Sequence, residues 1–253
     1  ILHRALTPGG PGVDPTSAFV RGKAPTLEVD TTDYGYRYVG VRELDGDQTY
    51  ARGYHYVMPF HQIRPQVVPN RGLSDGPHVP CVAGHMWVPM DDENTMVWNW
   101  VLSVGEAPLS EEHRLERGIG NGPDFVDAAN GFRSRAGRWN NWSIDRQMQK
   151  TVNFSGIQGI NQQDRAVQES MGHVVDRSKE HLGPADRAII VMRQLLLQAE
   201  RTVREGGDPP GADDSYYHIR AWEKILPRST DWRAALLPEM YPAGQQREPA
   251  PVS

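Results

Sequence analysis

The sequence predicts an α+β fold, in which an antiparallel sheet comes first in the chain and helices pack on one face of it. Segments dense in Tyr, Val and Trp occupy the first half of the chain, whereas the longest helical pattern lies in the second half. When strands precede helices in this way, the strands pair with one another and the later helices cover the sheet.

Four strands are predicted in the first half, each bounded by turn-forming residues: 34–42, 50–63, 82–90 and 95–104. The linker 91–94 reads Asp-Asp-Glu-Asn, which is too short for a parallel crossover and suits a hairpin. Alternation along the second strand predicts two opposite sets of side chains: Arg52, Tyr54, Tyr56 and Met58 against His55 and Val57. His55 and His61 share a face, but an extended strand would hold them roughly 20 Å apart, too far for one metal ion.

The helices are predicted from their end signals and apolar spacing. The strongest runs from Pro184 to about Glu205, because Pro is favoured in a first turn and apolar residues recur at helical spacing. A second is predicted from the capping residues 213–215 through Ile225, followed by a loosely held Pro-rich tail. A short helix is predicted over 109–117.

Long loops are predicted where Gly, Pro and Asn dominate, over 5–27 and 118–150. No shift in composition divides the chain, which predicts one domain over 1–242 and a tail over 243–253.

Charge and hydropathy narrow the partners. The formal net charge is −5, the pI is near 6.0, and no long basic run occurs, so neither nucleic acid nor an anionic membrane is expected to bind. The apolar runs are far shorter than the roughly 18 residues of a membrane span. A small-molecule partner and a cytoplasmic location are therefore expected.

The segment from Gly159 to Gly183 reads GINQQDRAVQESMGHVVDRSKEHLG. It resembles the segment of Rieske non-heme iron oxygenases, phthalate dioxygenase type, in which the aspartate of the Gln-Asp pair completes a mononuclear iron site. The N-terminal residues Ile-Leu-His-Arg are similar to the end of the family pattern Asp-x-x-His-x-x-x-x-His. The resemblance implies that His3 and Asp164 are iron ligands. It also implies that the first histidine and the bridging aspartate precede residue 1, so a fragment is expected.

The residues alone support simpler roles. Asp164 then serves best as a helix cap or a first-turn acid, and His3 as a frayed terminal residue. Asn161, Gln162 and Gln163 precede the aspartate, and their amides are expected to orient the carboxylate or the substrate, unless they form only a polar turn.

The resemblance implies an aromatic acid as substrate, whose carboxylate needs a cationic partner when buried. Arg64 and Arg52 are the candidates for that contact, the alternative being solvated arginines at strand ends. The aromatic residues expected to wall the pocket, unless they only pack in the core, are Tyr56, Phe60, Trp98 and Trp100.

The implied protein is the helix-grip catalytic domain of an oxygenase that hydroxylates or dihydroxylates a phthalate- or phenoxybenzoate-like acid with O2 at a mononuclear Fe(II). Its electrons would pass from NAD(P)H through a reductase and a [2Fe-2S] Rieske cluster in a neighbouring subunit of a homotrimer. A Rieske cluster needs two Cys and two His, and Cys81 is the only cysteine, so the cluster domain is absent from this chain. The alternative is a helix-grip domain that binds an apolar small molecule without a metal.

Overall fold

The structure, a computed structural model, describes residues 2–8, 24–68, 79–109, 111, 120–214 and 216–242. The chain divides into two compact units. The first unit comprises 1–21, 70–79 and 107–178, and the second comprises 22–69, 80–106 and 179–253. The single domain over 1–242 stays a prediction, and the tail over 243–253 lies outside the described residues.

The strands in chain order are β1 (Thr26–Thr32), β2 (Gly35–Leu44), β3 (Gln48–Val57), β4 (His61–Gln66), β5 (Cys81–Pro89), β6 (Thr95–Ser103), β7 (Val126–Asp127), β8 (Arg133–Ser134) and β9 (Trp222–Pro227). The α-helices are α1 (Arg146–Thr151), α2 (Ile160–Ser170), α3 (Arg187–Arg204) and α4 (Trp232–Met240). Among the described residues, no helix is long and apolar enough to cross a membrane.

The second unit is built on a seven-stranded sheet in which β1 to β6 are neighbours in chain order. Every strand pair in it is antiparallel. One edge of β3 pairs with β2, and the other edge pairs with two strands. On that second edge, β9 pairs with the first half of β3 and β4 with its last three residues. The predicted α+β class with an antiparallel sheet is confirmed.

The two C-terminal helices, α3 and α4, lie on opposite faces of this sheet. One face, here the tyrosine face, carries Tyr36, Tyr38, Tyr54 and Tyr56, whose rings stack across β2 and β3. Helix α3 packs on this face. The opposite face is apolar as well, and its residues pack against α4: Val39, Ala51 and Val57 against Trp232, Leu236 and Met240. The prediction of helices on one face is therefore wrong, because both faces carry apolar side chains that need cover.

Predicted strands 34–42, 82–90 and 95–104 are confirmed as β2, β5 and β6, and the helix predicted from Pro184 is confirmed as α3. The strand predicted over 50–63 is two strands, because the chain turns at 58–60 around Pro59, which lacks an N–H for a ladder.

The helix predicted over 213–225 is wrong. Residues 222–227 form β9, which pairs with β3 far away in sequence. The tail predicted after Ile225 contains α4, which Asp231 caps by accepting a hydrogen bond from the Arg233 N–H. Strand β1 falls at the end of the loop predicted over 5–27 and was not predicted.

The first unit holds α1, α2 and the short β7–β8 hairpin. The long loop predicted over 118–150 therefore includes short regular elements in the part that the structure describes. Residues 110 and 112–119, which carry most of the helix predicted over 109–117, lie outside the described residues.

Candidate metal centre

Helix α2 carries the aspartate of the motif in its interior. The helix is preceded by Gly159, whose φ of 83° favours glycine, and it has no acid in its first turn. Asp164 lies one turn further along, so the alternative role of a cap or first-turn acid is wrong.

Backbone pairing ties the N-terminal segment to the stretch between α1 and α2. The Leu6 N–H donates to the Val152 carbonyl at 2.8 Å, and Ala5 forms an isolated antiparallel bridge with Asn153. Both contacts hold the chain a few residues after His3. His3 is therefore tied to a folded segment and is not frayed.

His3 and Asp164 meet directly. Nε2 of His3 lies 3.1 Å from Oδ1 of Asp164, and the side chains are 31% and 41% exposed. The hydrogen bond with Asp164 raises the pKa of His3, although burial opposes it. The pair is thus partly open to solvent. The Asp164 carboxylate favours the protonated, positively charged form of the His3 imidazole.

The amides before Asp164 have different partners. Oε1 of Gln163 lies 3.0 Å from Nδ1 of His3, and its amide nitrogen donates to the Ile157 carbonyl at 2.9 Å. Gln162 instead accepts from the Ser134 hydroxyl and donates to a backbone carbonyl of the preceding loop. Asn161 is half-buried. Gln163 thus contacts His3 directly.

The donor atoms fit a first-row divalent metal. Such ions bind imidazole nitrogen and carboxylate oxygen at about 2.0–2.2 Å, so two ligands at a right angle lie about 3 Å apart, close to the 3.1 Å between His3 and Asp164. Imidazole and carboxylate are also the ligands of non-heme Fe(II) sites. No group of three His, Cys, Asp or Glu within the described ranges could hold a metal.

The predicted substrate arginines lie on the tyrosine face of the second unit, in different surroundings. Arg52 is ion-paired with Glu223 at 3.2 Å, donates to the Pro65 carbonyl at 2.9 Å and lies over the Tyr54 ring. Arg64 donates to Nε2 of His85. A substrate carboxylate would have to displace Glu223 from Arg52, whereas the contact of Arg64 with His85 involves an imidazole and no carboxylate.

The predicted aromatic wall does not form at one place. Tyr56 lies on the tyrosine face, and Phe60 lies in the turn between β3 and β4. Trp98 is opposite Met86, which is opposite His61, so Trp98 lies on the other face and is 53% exposed. Trp100 shares that face and donates to His61.

The histidines dismissed as a metal pair are closer than expected. His61 lies opposite Val57 on the neighbouring strand, so the separation of roughly 20 Å along one extended strand does not apply. His55 instead accepts from Tyr34 at 2.7 Å and donates to the Arg220 carbonyl at 3.1 Å. Burial lowers the pKa of His55 to about 3, so this imidazole is neutral and structural.

Comparison with known proteins agrees with the motif. Residues 16–247 match the family described as LigXa C-terminal domain like. The chain belongs to this family. It is 32% identical over 230 residues to the 3-chlorobenzoate-3,4-dioxygenase oxygenase subunit of Comamonas testosteroni, covering 84% of this chain and 50% of that protein.

It is also 29% identical over 220 residues to the phthalate 4,5-dioxygenase oxygenase subunit of Pseudomonas putida, covering 83% of this chain and 46% of that protein. The chain thus spans about half the length of the curated relatives it matches. The resemblance to phthalate dioxygenase-type oxygenase subunits is confirmed.

Two partners in this member of the LigXa C-terminal domain-like family were not predicted from sequence. His85 meets Arg64 across neighbouring strands, and Asn153 donates to the same Ile157 carbonyl as Gln163. The strand over 82–90 was predicted, but its register against β4 decides which side chain faces Arg64, and a single sequence does not carry that register.

Proposed function

We propose that this chain is the mononuclear-iron catalytic domain of a Rieske-type oxygenase that uses O2 to hydroxylate or dihydroxylate an aromatic acid. The observation that carries the proposal is the approach of His3 Nε2 to Asp164 Oδ1 at 3.1 Å, which joins the two segments that resemble the family's ligand pattern. The similarity to two dioxygenase oxygenase subunits supports the same function.

His3 and Asp164 are the proposed iron ligands. The third ligand is not among the described residues, and the family pattern assigns it to a histidine upstream of His3. The iron, when bound, activates dioxygen beside the substrate. Asp164 would offer its carboxylate to the metal from the second turn of α2, and the bridge of Ala5 to Asn153 keeps the His3 segment in place.

An aromatic carboxylate is the proposed substrate, since the names of both relatives contain an aromatic acid. Arg64 is the preferred carboxylate partner, because Arg52 already neutralises the buried Glu223. Tyr56 lies on the same face as Arg64 and is the preferred aromatic wall, ahead of Phe60 in the turn and Trp98 on the opposite face. Guanidinium binds a carboxylate in a bidentate way, which would fix the ring's orientation.

The complete protein is proposed to receive electrons from NAD(P)H through a reductase and a [2Fe-2S] Rieske cluster, within a homotrimer. A Rieske cluster requires two Cys and two His ligands, and Cys81 is the only cysteine of this sequence. The cluster would therefore be held by another part of the protein.

The test uses protein from the full-length natural gene, a reductase, NADH and 18O2, with benzoate- and phthalate-type acids as substrates. We expect 18O in a hydroxylated product of the wild type, and at least about 100-fold lower turnover in Asp164→Ala, because loss of a ligand exceeds the effect of losing an outer partner. Arg64→Met should raise KM for the acid, since the carboxylate loses its ion pair.

The alternative, a metal-free domain that binds an apolar molecule, predicts a different result. Asp164→Ala would then leave ligand binding and iron content unchanged, and no 18O would enter any product. That combination of results would overturn the proposed oxygenase function.

A further inference from the structure

We propose that Gln163 is a positioning residue that fixes which ring nitrogen of His3 carries its proton, and so prepares Nε2 as a metal ligand. The inference rests on the proposed iron site but goes beyond it. Fe(II) binding by the wild type tests the proposed function, and the difference between the variants tests the role of Gln163.

The orientation of the Gln163 amide follows from its buried surroundings. The side chain is only 3% exposed, so water cannot replace its partners. Its amide nitrogen lies 2.9 Å from the Ile157 carbonyl, which also accepts from Asn153 at 3.1 Å. A flipped amide would place its oxygen against that carbonyl, two acceptors without a proton between them. Oε1 of Gln163 must therefore face His3.

This orientation selects one tautomer of His3. Oε1 is an acceptor, so Nδ1 of His3, 3.0 Å away, is the nitrogen that carries the hydrogen. A neutral imidazole has one N–H, and Nε2 is then left with its lone pair directed at Asp164, 3.1 Å from Oδ1. Without a metal, a proton on Nε2 makes the hydrogen bond to Oδ1 of Asp164. A metal ion that displaces this proton would take the lone pair of Nε2, while Nδ1 keeps its hydrogen on the Gln163 oxygen.

The same hydrogen bonds locate His3 as well as its proton. Asn153, which shares the Ile157 carbonyl with Gln163, forms the backbone bridge to Ala5, two residues after His3. The ring and the backbone of the His3 segment are thus fastened to one short stretch before α2. Metal-binding histidines generally donate their second N–H to a fixed acceptor, and this contact orients the ring.

The neighbouring residue provides a matched control. Gln162 lies on the same helix, is 4% exposed, and makes two hydrogen bonds of its own, with Ser134 and the Phe125 carbonyl. Replacing either glutamine by methionine removes a buried amide of the same length. Only Gln163→Met also removes the acceptor from Nδ1 of His3.

The experiment compares Gln163→Met, Gln162→Met and Gln163→Glu in protein from the full-length natural gene. Fe(II) is titrated anaerobically into the mononuclear site, and the melting temperature is recorded for each variant. We expect Gln163→Met to weaken Fe(II) binding about 10–100-fold, the usual cost of losing such a partner. Gln162→Met should change it less than about threefold at a similar loss of melting temperature. Gln163→Glu should recover most of the affinity, because burial favours the neutral acid, which keeps an acceptor for Nδ1 and an O–H donor for the Ile157 carbonyl.

Equal losses in the two methionine variants would overturn the inference, because the effect would then be structural. Full affinity in Gln163→Met would overturn it too. If Gln163→Met does not fold, Gln163→Glu decides, and a loss of affinity in that variant contradicts the role. A wild-type protein that binds no Fe(II) at this site would overturn the proposed function itself.

Discussion

The two units of this protein differ in the exposure and the partners of their paired carboxylates. In the second unit, Glu223 is 1% exposed, is ion-paired with Arg52 and accepts from the Val67 and Val68 N–H groups. In the first unit, His3 and Asp164 pair with each other and are both partly exposed. A buried carboxylate surrounded by protein donors is costly to remove, whereas a partly exposed one beside an imidazole is suited to bind a metal ion.

Removing the buried carboxylate of the second unit gives the largest expected effect on stability. Glu223→Leu should lower the free energy of unfolding by about 3–5 kcal/mol, because Arg52 loses its charge partner and two backbone N–H groups lose their acceptor. Fe(II) affinity should not change. Urea unfolding measures the first quantity and anaerobic titration the second.

Glu239→Leu is the matched control, since Glu239 pairs with Arg220 and Lys224 at a partly exposed position. It should cost less than about 1 kcal/mol. If the two variants lower the free energy of unfolding equally, burial does not decide how much a carboxylate contributes to stability in this protein.

The buried imidazole of the second unit predicts a pH dependence of stability. The pKa of His55 is near 6.5 in the unfolded chain and is lowered to about 3 in the folded protein. Its contribution is therefore complete above pH 6.5 and is lost as the pH falls from 6.5 toward 3. At pH 5 the loss is about 2 kcal/mol, at 1.36 kcal/mol per pH unit.

His55→Gln separates this effect from acid denaturation by other groups. Glutamine can still accept from Tyr34 and donate to the Arg220 carbonyl, but it does not titrate. The unfolding free energy of the variant should fall less steeply than that of the wild type between pH 6.5 and 5. Parallel curves would mean that His55 takes up its proton without cost.

Two helix caps give the smallest expected effect and the sharpest comparison of the units. Asp145 accepts from the Gln147 and Met148 N–H groups at the start of α1, and Asp231 accepts from Arg233 at the start of α4. Replacing either aspartate by alanine should cost about 1 kcal/mol, measured by urea unfolding.

The two cap variants should differ in metal binding. Helix α1 ends directly before the residues that pair with the His3 segment, so Asp145→Ala should weaken Fe(II) binding about threefold, less than loss of a direct outer partner. Asp231→Ala should leave it unchanged. If both variants weaken Fe(II) binding equally, the affinity depends only on the overall stability of the protein.

Local patterns predicted the elements that need only local information. Strands β2, β5 and β6 and helix α3 were found because alternation, helical spacing and end signals lie within each segment. Strand β9 was taken for a helix, because its strand conformation depends on pairing with β3, about 170 residues earlier in the chain. The hairpin between β3 and β4 was missed although Pro59 marked it.

The site divides in the same way. Asp164 and His3 were selected by resemblance to a family motif, since nine histidines and 32 acids offer many other pairs. The sequence did not distinguish Gln163 from Gln162, because which amide reaches His3 depends on the rotation of α2 and on the Ile157 carbonyl. The sequence also did not reveal that Glu223 forms an ion pair with Arg52.

The most direct test of the central claim is the iron-to-sulfide ratio of the protein from its full-length natural gene, in the wild type and in Asp164→Ala. Acid-labile sulfide reports the cluster and serves as an internal standard. We predict about three irons and two sulfides per chain in the wild type, and about two of each in the variant. A variant that keeps its third iron would contradict the assignment of Asp164 as a metal ligand.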